Sequence, residues 1–483
     1  MRSRKNEKRA TNEATSARTN GDDLRRALDW IVNDKMFANM RLHGNVNWRA
    51  SALIRLAVFW MWSPQSSLVD AASNAVVVVK RIFGESVLNS YQALTNALKR
   101  YSDQLVPILL HRLHGLMEQC DETSFRVGLW VALAVDGSRV GVPRTLKNEK
   151  QFCKSKKAAK KRKKTKSKKR GRHAKCKKAP THSKKLYDPL PVGPQLWLTL
   201  IWHVGQRVPW CWKTGPSYSS ERHHVMEMLQ EQKIPEFTLF CGDAGFVGYD
   251  FWRAIDDQSH AFLVRVGGNV HLLKELGYVR ERNGIVYSWP DAASKKKQPP
   301  LVLRLLHFKD PRNGDVYLVT NVLDEKLLPY QQAGEIFRRR WGIEVQFRSL
   351  KQTFGRTKLR SRTPDCANIE LHWSLIALWM IQLLARKEQA KAREPEHSTS
   401  IAPVLRIVRQ MMQSEAIVPN RNNSFAKQLA QAVTDTYTRK SKKKSRNYPR
   451  RKEEPATGKP KIKTATRLLK QRLKQLQNSV TVA

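Results

Sequence analysis

The first quarter of the chain has the apolar spacing of α-helices. Apolar residues recur at intervals of three and four from residue 21 to about residue 120, as at Leu94, Leu98 and Leu105. Asn47 and Ser63 are residue types that cap helices, and the residues before about 20 are polar and charged. The pattern predicts a flexible basic arm over residues 1–20 and an all-α domain over residues 21–122.

Part of this helical region has the features of a helix-turn-helix. Pro64 suits the first position of a helix over residues 64–79, the turn Phe83-Gly84-Glu85 follows, and a second helix starts near Val87. Such a pair of helices reads the DNA major groove in many proteins. An ordinary helical bundle explains the same pattern, and both interpretations stay open.

Segments that are apolar on both faces predict a buried sheet in the middle of the chain. Helical patterns over residues 219–232 and 249–258 lie between them and would cover the sheet. The link Gly205-Gln206-Arg207 predicts an antiparallel hairpin. The fold class is therefore α/β, with a mixed sheet and flanking helices, and its predicted strands cover residues 127–135, 196–204, 208–213, 237–241 and 261–266.

A β-rich insertion is predicted next. The pairs Asn283-Gly284 and Asn313-Gly314 lie between β-rich segments and are typical of hairpin turns. The insertion spans about residues 268–325 and precedes a long helix that begins near Pro329. Residues 371–385 are strongly apolar but too few to cross a bilayer, which needs roughly 20 residues. We predict a buried helix there and no membrane partner.

The charge of the chain points to a polyanionic partner. Its 89 Lys and Arg residues against 41 Asp and Glu residues give a net charge of +48, and such a field attracts phosphate backbones. Residues 147–185 hold 20 basic residues and one acid, and residues 439–474 hold 16 basic residues and two acids. Both runs repel themselves and are expected to be disordered alone.

The cysteines suggest neither a disulfide framework nor a zinc knuckle. The six cysteines form no Cys-x2-Cys pair, and the histidines and cysteines of the first basic run match no zinc spacing. The N-terminus lacks the apolar segment of a secretory signal. We expect a cytoplasmic protein, associated with the nucleoid if its partner is DNA.

Three acids are candidates for a metal site. Asp136 ends one apolar run and is followed by Gly137, Asp243 ends another, and Glu344 lies in the long helix. Carboxylates from three elements that meet at one sheet edge would bind Mg²⁺ or Mn²⁺. Two such ions about 4 Å apart activate water and stabilise the leaving oxygen in phosphodiester cleavage.

The long helix supports this interpretation. At about 100° per residue, Arg340, Lys351, Glu344 and Phe337 fall within roughly 60° of one another, directly beside the apolar stripe that would pack on the sheet. A solvated face would place these charges opposite that stripe. The alternative is that Arg340 and Glu344 form only an (i, i+4) pair that supports the helix.

These residues carry a resemblance to a known family. The spacing Phe337-x2-Arg340-x3-Glu344-x6-Lys351 resembles the Tyr-x2-Arg-x3-Glu-x6-Lys signature of bacterial DDE transposases of the insertion-sequence-four type. Asp136-Gly137-Ser138 is similar to the first aspartate block of that family. Asp243-Ala244-Gly245-Phe246 is similar to the second, and the resemblance extends over residues 45 to 385.

The resemblance implies a fold and a reaction. It implies an RNase H-like catalytic domain over residues 123–385, preceded by a helical DNA-binding domain and followed by a helical and basic region over residues 386–483. The reaction would be cut-and-paste transposition of an insertion sequence, by two-metal phosphodiester hydrolysis and strand transfer. The implied partners are double-stranded DNA with terminal inverted repeats and target DNA, and a dimer would form on the DNA.

The resemblance also implies residue roles. Asp136, Asp243 and Glu344 would bind the metal ions, and Arg340 and Lys351 would contact DNA phosphates. Phe337 replaces the signature tyrosine and has no hydroxyl to offer to a phosphate. Trp289 in the insertion would either stack on an unpaired base or pack in the insertion's core.

Two features leave other functions open. The basic loop 147–185 has no counterpart in the family pattern, and a nonspecific DNA clamp is one role for it. An inactive remnant, a related metal nuclease, or a noncatalytic basic nucleic-acid-binding protein remain alternatives to a transposase.

Overall fold

The computed structural model describes residues 20–85, 88–153, 193–282, 284–309, 314–392, 399–413, 424–434 and 458–481. The chain divides into two compact units. Unit 1 comprises residues 1–122, 349–356 and 365–436, and unit 2 comprises residues 123–348, 357–364 and 437–483. The predicted arm and nearly all of the first basic run lie outside the described residues.

The N-terminal part of unit 1 is helical. Its helices are α1 (Asn20–Ile31), α2 (Ala50–Trp62), α3 (Leu68–Phe83) and α4 (Tyr91–Cys120). Every residue of α2 is buried, because the helix is mostly apolar and its one charged residue, Arg55, pairs with Asp29 and Glu85. The predicted caps are wrong. Arg49 and Ser67 begin α2 and α3, while Ser63 ends α2, since the Ser67 hydroxyl accepts the Asp70 N–H at 3.0 Å.

The described part of unit 2 is built on one mixed sheet. A short helix, α5 (Glu122–Phe125), precedes β1 (Val131–Gly141), and α6 (Leu146–Phe152) follows it. The hairpin β2 (Gln195–His203) and β3 (Val208–Pro216) has the predicted link. It is followed by α7 (Glu221–Glu231), β4 (Thr238–Gly242), α8 (Tyr249–Asp256) and β5 (Ala261–Val266). Both predicted helices of this region are thus present, with slightly narrower limits.

The insertion continues the same sheet. Its elements are β6 (His271–Lys274), β7 (Ile285–Ser288), α9 (Asp291–Lys295), β8 (Leu301–Phe308) and β9 (Val316–Thr320). Strand β9 pairs antiparallel with β5, which joins the insertion edge to edge with the other strands. The sequence patterns predict only strands here, but α9 forms in the segment Asp291–Lys295, which Pro290 precedes as the N-cap.

The predicted long helix is broken. The structure has α10 (Tyr330–Arg339), α11 (Gly342–Arg348) and a π-helical turn, Ser349–Thr353. Arg340 and Trp341 separate the two helices. In the π turn the Phe354 N–H bonds to the Ser349 carbonyl, five residues back, so the winding differs from 100° per residue. The predicted angle of Lys351 is therefore wrong.

Further helices complete unit 1. They are α12 (Pro364–Lys391), α13 (Ile401–Gln413) and α14 (Phe425–Ala430). The predicted helix over residues 371–385 is the buried centre of α12. By length and composition α12 resembles a membrane span, yet 89% of its most apolar window is buried inside the fold. The predicted catalytic region ended at residue 385, whereas α12 groups with the N-terminal helices.

The second basic run ends in ordered structure. Residues 458–481 contain β10 (Lys461–Thr464), which pairs parallel with β6, and α15 (Arg467–Thr481). Arg472 of α15 bonds to the Asp291 carboxylate at 2.6 Å. The expectation of disorder is wrong for this portion, because backbone pairing and this ion pair hold it. The order of the described strands is β10-β6-β7-β8-β9-β5-β4-β1-β2-β3.

Candidate active site

The sheet brings Asp136 and Asp243 to the same edge. Strands β1 and β4 are parallel neighbours, with Ala134 opposite Cys241, and the same register continued by two residues places Asp136 level with Asp243. Adjacent strands lie about 4.8 Å apart. The Cα atoms of Asp136 and Asp243 are therefore neighbours, at the end of β4.

The two aspartates differ in how their strands end. Asp243 directly follows β4, as predicted. Asp136 does not end its strand, because β1 continues to Gly141 by pairing with β2, with Asp136 opposite Leu200. The prediction that the strand ends at Asp136 is therefore wrong. The pairing of β1 with β4, however, stops just before Asp136, at Ala134. The polar residues after Asp136 remain in a strand because β2 supplies their hydrogen bonds.

Backbone amides orient both aspartates. The Gly137 N–H donates to Asp136 Oδ1 at 2.8 Å, and the Gly245 N–H donates to Asp243 Oδ1 at 2.7 Å. Asp243 thereby caps the 3₁₀ turn Ala244–Phe246. Each carboxylate keeps its second oxygen for another ligand, because a single N–H occupies only one of its two oxygens.

Helix α11 carries Glu344 to this edge. The helix can approach the sheet because Gly342 has no side chain: a Cβ there would stand 2.1 Å from the ring of Trp202 on β2. Trp202 is only 2% exposed and cannot move aside. Glu344 lies two residues beyond this contact, in the first turn of α11.

Arg340 stands between Phe337 and Glu344. Its guanidinium lies 5.4 Å from the centre of the Phe337 ring, a cation–π distance, and 3.8 Å from the Glu344 carboxylate. The Arg340 side chain is 11% exposed. Phe337 thus replaces a hydroxyl with an aromatic face that holds the arginine in place, and the (i, i+4) pair with Glu344 exists.

The carboxylates repel one another. The pKa of Asp136 is raised to about 6, first by burial and also by the charges of Asp243 and Glu344. The Gly137 hydrogen bond and the charge of Arg340 act in the opposite direction. The pKa of Glu344 is also raised, first by burial and then by the charge of Asp243, against the lowering effect of Arg340. Perturbed acids in one cluster are typical of functional sites.

A fourth acid, Glu221, belongs to the same cluster and was missed in the sequence. It is the first residue of α7. Its pKa is raised to about 7, first by burial and then by the charges of Asp136 and Asp243, against the lowering effect of Arg139 and Arg222. The sequence offers one signal for it, an acid at the start of a helix that follows a hairpin, but this is common in helices without function.

The donor set of the cluster suits a hard divalent cation. Aspartate and glutamate oxygens are the ligands that Mg²⁺ and Mn²⁺ prefer, and the pKa values of Asp136, Glu221 and Glu344 stay raised despite the nearby arginines. In the described residues, no group of three Asp, Glu, His or Cys side chains is arranged to hold a metal ion. The fit therefore rests on donor chemistry and on the shared sheet edge.

Trp289 and Lys351, the two remaining predicted site residues, lie in different parts of the structure. Trp289 is 4% exposed and its indole N–H donates to the Gln298 carbonyl at 2.7 Å. The base-stacking role is therefore wrong, since a buried ring packed in the insertion cannot reach a base, and the packing interpretation is correct. Lys351 lies in the π-helical turn, which groups with unit 1.

Part of the chain is similar to a known family. Residues 209–380 match the sequence model of the family described as Transposase DDE domain. The match includes Asp243, Arg340, Glu344 and Lys351, and it begins after Asp136. It confirms the resemblance drawn from the sequence motifs.

A curated relative points the same way. The chain is 26% identical over 229 residues to the transposase InsG for insertion sequence element IS4 of Escherichia coli (strain K12), covering 45% of this chain and 50% of that protein. The chain thus spans about half the length of this relative. Among solved structures, the piggyBac transposase synaptic complex with hairpin DNA matches with a TM-score of 0.38 and 9% identity, over 87% of each chain.

Proposed function

We propose that this chain, which carries a transposase DDE domain and is related to the insertion-sequence-four transposases, catalyses cut-and-paste transposition of an insertion sequence. Water would attack the phosphodiester at the end of the element, and the freed 3′-hydroxyl would then attack target DNA. The observation that carries the proposal is the meeting of Asp136, Asp243 and Glu344 at one sheet edge, where the pKa of Asp136 responds to both other acids.

The proposed catalytic core is RNase H-like. Strands β1–β3 form an antiparallel set, β4 and β5 add parallel strands beside β1, and helices α7 and α8 connect them. This order of strands supports the proposal. The helices of residues 21–122 would bind DNA, and the basic loop 147–185 would act as a nonspecific clamp on the phosphate backbone.

Asp136, Asp243 and Glu344 would hold two divalent cations, Mg²⁺ or Mn²⁺. When bound, such ions supply Lewis-acid activation of water and stabilise the leaving oxygen. The contribution of the protein is the position of the acids: β1 and β4 fix the two aspartates side by side, and the Gly342 contact with Trp202 fixes the approach of Glu344.

Arg340 and Lys351 would contact phosphates of the cleaved DNA end. Phe337 supports this role for Arg340, because its ring holds the guanidinium where Glu344 also restrains it. The partners would be double-stranded DNA with terminal inverted repeats and target DNA, and a dimer would hold two ends together. The site of action would be the bacterial cytoplasm, at the nucleoid.

The net charge of +48 favours one alternative, a noncatalytic protein that compacts nucleic acid through its basic runs. Metal-dependent cleavage separates the two functions. The substrate is a duplex with the terminal repeats found in the DNA flanking the coding region, incubated with the full chain and Mg²⁺. We expect strand cleavage by the parent and at least about a thousandfold slower cleavage by Asp136→Asn, Asp243→Asn or Glu344→Gln.

The control is Asp257→Asn, an exposed acid paired with Arg253 at 2.8 Å, which should cleave as the parent does. DNA affinity of all variants, measured by gel shift, should stay within about twofold of the parent because the basic surface is intact. Binding without any Mg²⁺-dependent cleavage by the parent would favour the noncatalytic alternative or an inactive remnant.

A further inference from the structure

Glu221 occupies the space beside the first aspartate. Gly137 directly follows Asp136, and a Cβ at Gly137 would stand 2.4 Å from Glu221 Oε1 and 2.6 Å from Glu221 Cδ. The carboxylate therefore fills the place where any other residue at position 137 would have its side chain. It reaches the sheet only because position 137 is glycine.

The same carboxylate extends toward the second aspartate. The point where a Cβ at Gly245 would stand is 2.9 Å from Asp243 Oδ1 and 3.9 Å from Glu221 Oε2. These two oxygens are thus less than about 7 Å apart. Two ions about 4 Å apart with oxygen ligands at about 2 Å span such a distance. Glu221 lies between the two aspartate turns.

The first turn of α7 is held in this position from two sides. His224, one turn after Glu221, is buried, and its Nδ1 lies 2.9 Å from the Thr199 hydroxyl on β2. Arg222 donates to the Val247 carbonyl at 2.5 Å, in the loop that follows Asp243. The helix is therefore fixed to the sheet and to the Asp243 loop, so the backbone that carries Glu221 has a defined place.

Glu221 has no ion-pair partner within 4.0 Å in the described residues, and the more distant charges of Arg139 and Arg222 offset only part of the rise in its pKa. Among the ion pairs within 4.0 Å in the described part of the chain, none includes it, whereas Glu344 has Arg340 and Glu227 on the same helix has Lys213 at 3.3 Å. A half-buried carboxylate without an ion pair, beside two further carboxylates, costs free energy unless a cation joins it.

We propose that Glu221 is a fourth carboxylate ligand of the divalent cations at Asp136, Asp243 and Glu344. The inference rests on the proposed function, because it assigns a ligand to the metal site of that reaction. It adds an acid that the three-acid motif does not contain, contributed by the helix after the β2–β3 hairpin.

Metal binding by the full chain tests this ligand without any cleavage assay. Mn²⁺ is titrated into metal-free protein, and bound Mn²⁺ is followed by calorimetry and by electron paramagnetic resonance of the free ion. We expect Glu221→Gln to weaken Mn²⁺ binding about tenfold or more, which is the range found when oxygen ligands or their supports are removed. Glu227→Gln, in the same helix, is the matched control and should bind as the parent does.

Gly137→Ala gives a second test that leaves Glu221 in the sequence. Its methyl group takes the space of the carboxylate and turns it away, so Mn²⁺ binding should weaken by about as much as in Glu221→Gln. The double variant Glu221→Gln/Gly137→Ala should bind no more weakly than Glu221→Gln alone, because both changes remove the same ligand.

The outcomes separate the two levels of inference. If Asp136→Asn loses Mn²⁺ binding while Glu221→Gln and Gly137→Ala bind as the parent does, Glu221 is no ligand and the proposed function stands. If Asp136→Asn itself binds Mn²⁺ as the parent does, the proposed function fails. Should Glu221→Gln not fold, judged by circular dichroism, Gly137→Ala alone decides.

Discussion

Two helices bring a glutamate to the aspartates, and they do so under different constraints. Helix α11 presses its backbone against a rigid surface, since Gly342 faces the buried ring of Trp202, and Glu344 has Arg340 at 3.8 Å. Helix α7 approaches with the end of a flexible side chain against Gly137, and Glu221 has no cation that close. At the sheet edge, Glu344 thus has a close cation and a helix backbone packed against a rigid ring, whereas Glu221 has no cation within 4.0 Å and meets the sheet only through the end of its side chain.

The largest expected effect is at the contact between Gly342 of α11 and Trp202. Gly342→Ala places a methyl group 2.1 Å from the Trp202 ring, which must displace α11. We expect a loss of about 1–3 kcal/mol in the free energy of unfolding and roughly a hundredfold slower cleavage, since small misplacements of reacting groups have effects of this size. Urea denaturation and cleavage rates measure both.

The matched control is Gly115→Ala in α4, where a Cβ meets nothing within 4 Å. That variant should gain about 0.5–1 kcal/mol, because alanine favours a helix over glycine. Equal stability of Gly342→Ala and the parent would contradict a rigid contact between α11 and the sheet.

The charge balance at Glu344 gives the second prediction. Arg340→Met keeps an apolar stem against Phe337 but removes the cation that lowers the pKa values of Asp136 and Glu344. Both pKa values should rise, and the rising limb of the pH profile of cleavage should move to higher pH, with a loss of roughly tenfold or more at neutral pH. Arg339→Met, whose arginine pairs with the exposed Glu335, should leave the profile unchanged.

Protonation of Glu221 and Asp136 should make the stability of the folded chain depend on pH. The pKa values of Glu221 and Asp136 are raised to about 7 and about 6 in the folded chain, so the metal-free folded state binds protons more tightly than the unfolded state. Stability from these groups is present below about pH 4 and decreases as the pH rises to about 7. Thermal melting of metal-free protein should show a shallower decrease for Glu221→Gln than for the parent.

Saturating Mg²⁺ should remove most of this decrease, because the bound ion replaces the protons. A pH dependence in Glu221→Gln that equals the parent's with and without Mg²⁺ would show that Glu221 does not titrate in this range.

The smallest expected effect is the change in the free energy of unfolding caused by Gly137→Ala. The added methyl meets atoms at the end of the Glu221 side chain rather than backbone or a buried ring, so rotation of Glu221 relieves the overlap. The free energy of unfolding should stay within about 0.5 kcal/mol of the parent. A loss as large as that of Gly342→Ala would mean that the two glutamates are held equally rigidly, and the contrast between the helices would fail.

The strands and the three motif acids were predictable because their signals are local. Apolar runs bounded by turns predict β2, β4 and β5 within one residue, whereas the limits of β1 differ by four and six residues. The motif spacing identified Asp243, Arg340 and Glu344 in a segment that the family comparison confirms. Each of these signals is contained in a window of fewer than about 20 residues.

The features that depend on distant residues were not predictable. Glu221 joins the site because Gly137, more than eighty positions earlier, has no side chain. The helix breaks at Arg340 and Trp341, next to Gly342, which meets the ring of Trp202 from a distant strand. Trp289 is buried because α9 and the following loop provide the Gln298 carbonyl for its N–H, which no pattern around the tryptophan indicates.

The parallel strand β10 also has a consequence for the synthesis of the chain on the ribosome. The outer edge of β6 stays unpaired until Lys461–Thr464 has been synthesised and pairs with it. Roughly 190 residues separate the two strands. At about 5–20 residues per second, that edge stays open for roughly 10–40 s of translation. An open strand edge invites pairing with other nascent chains, so the rate at which the later residues emerge sets the time in which this protein can aggregate.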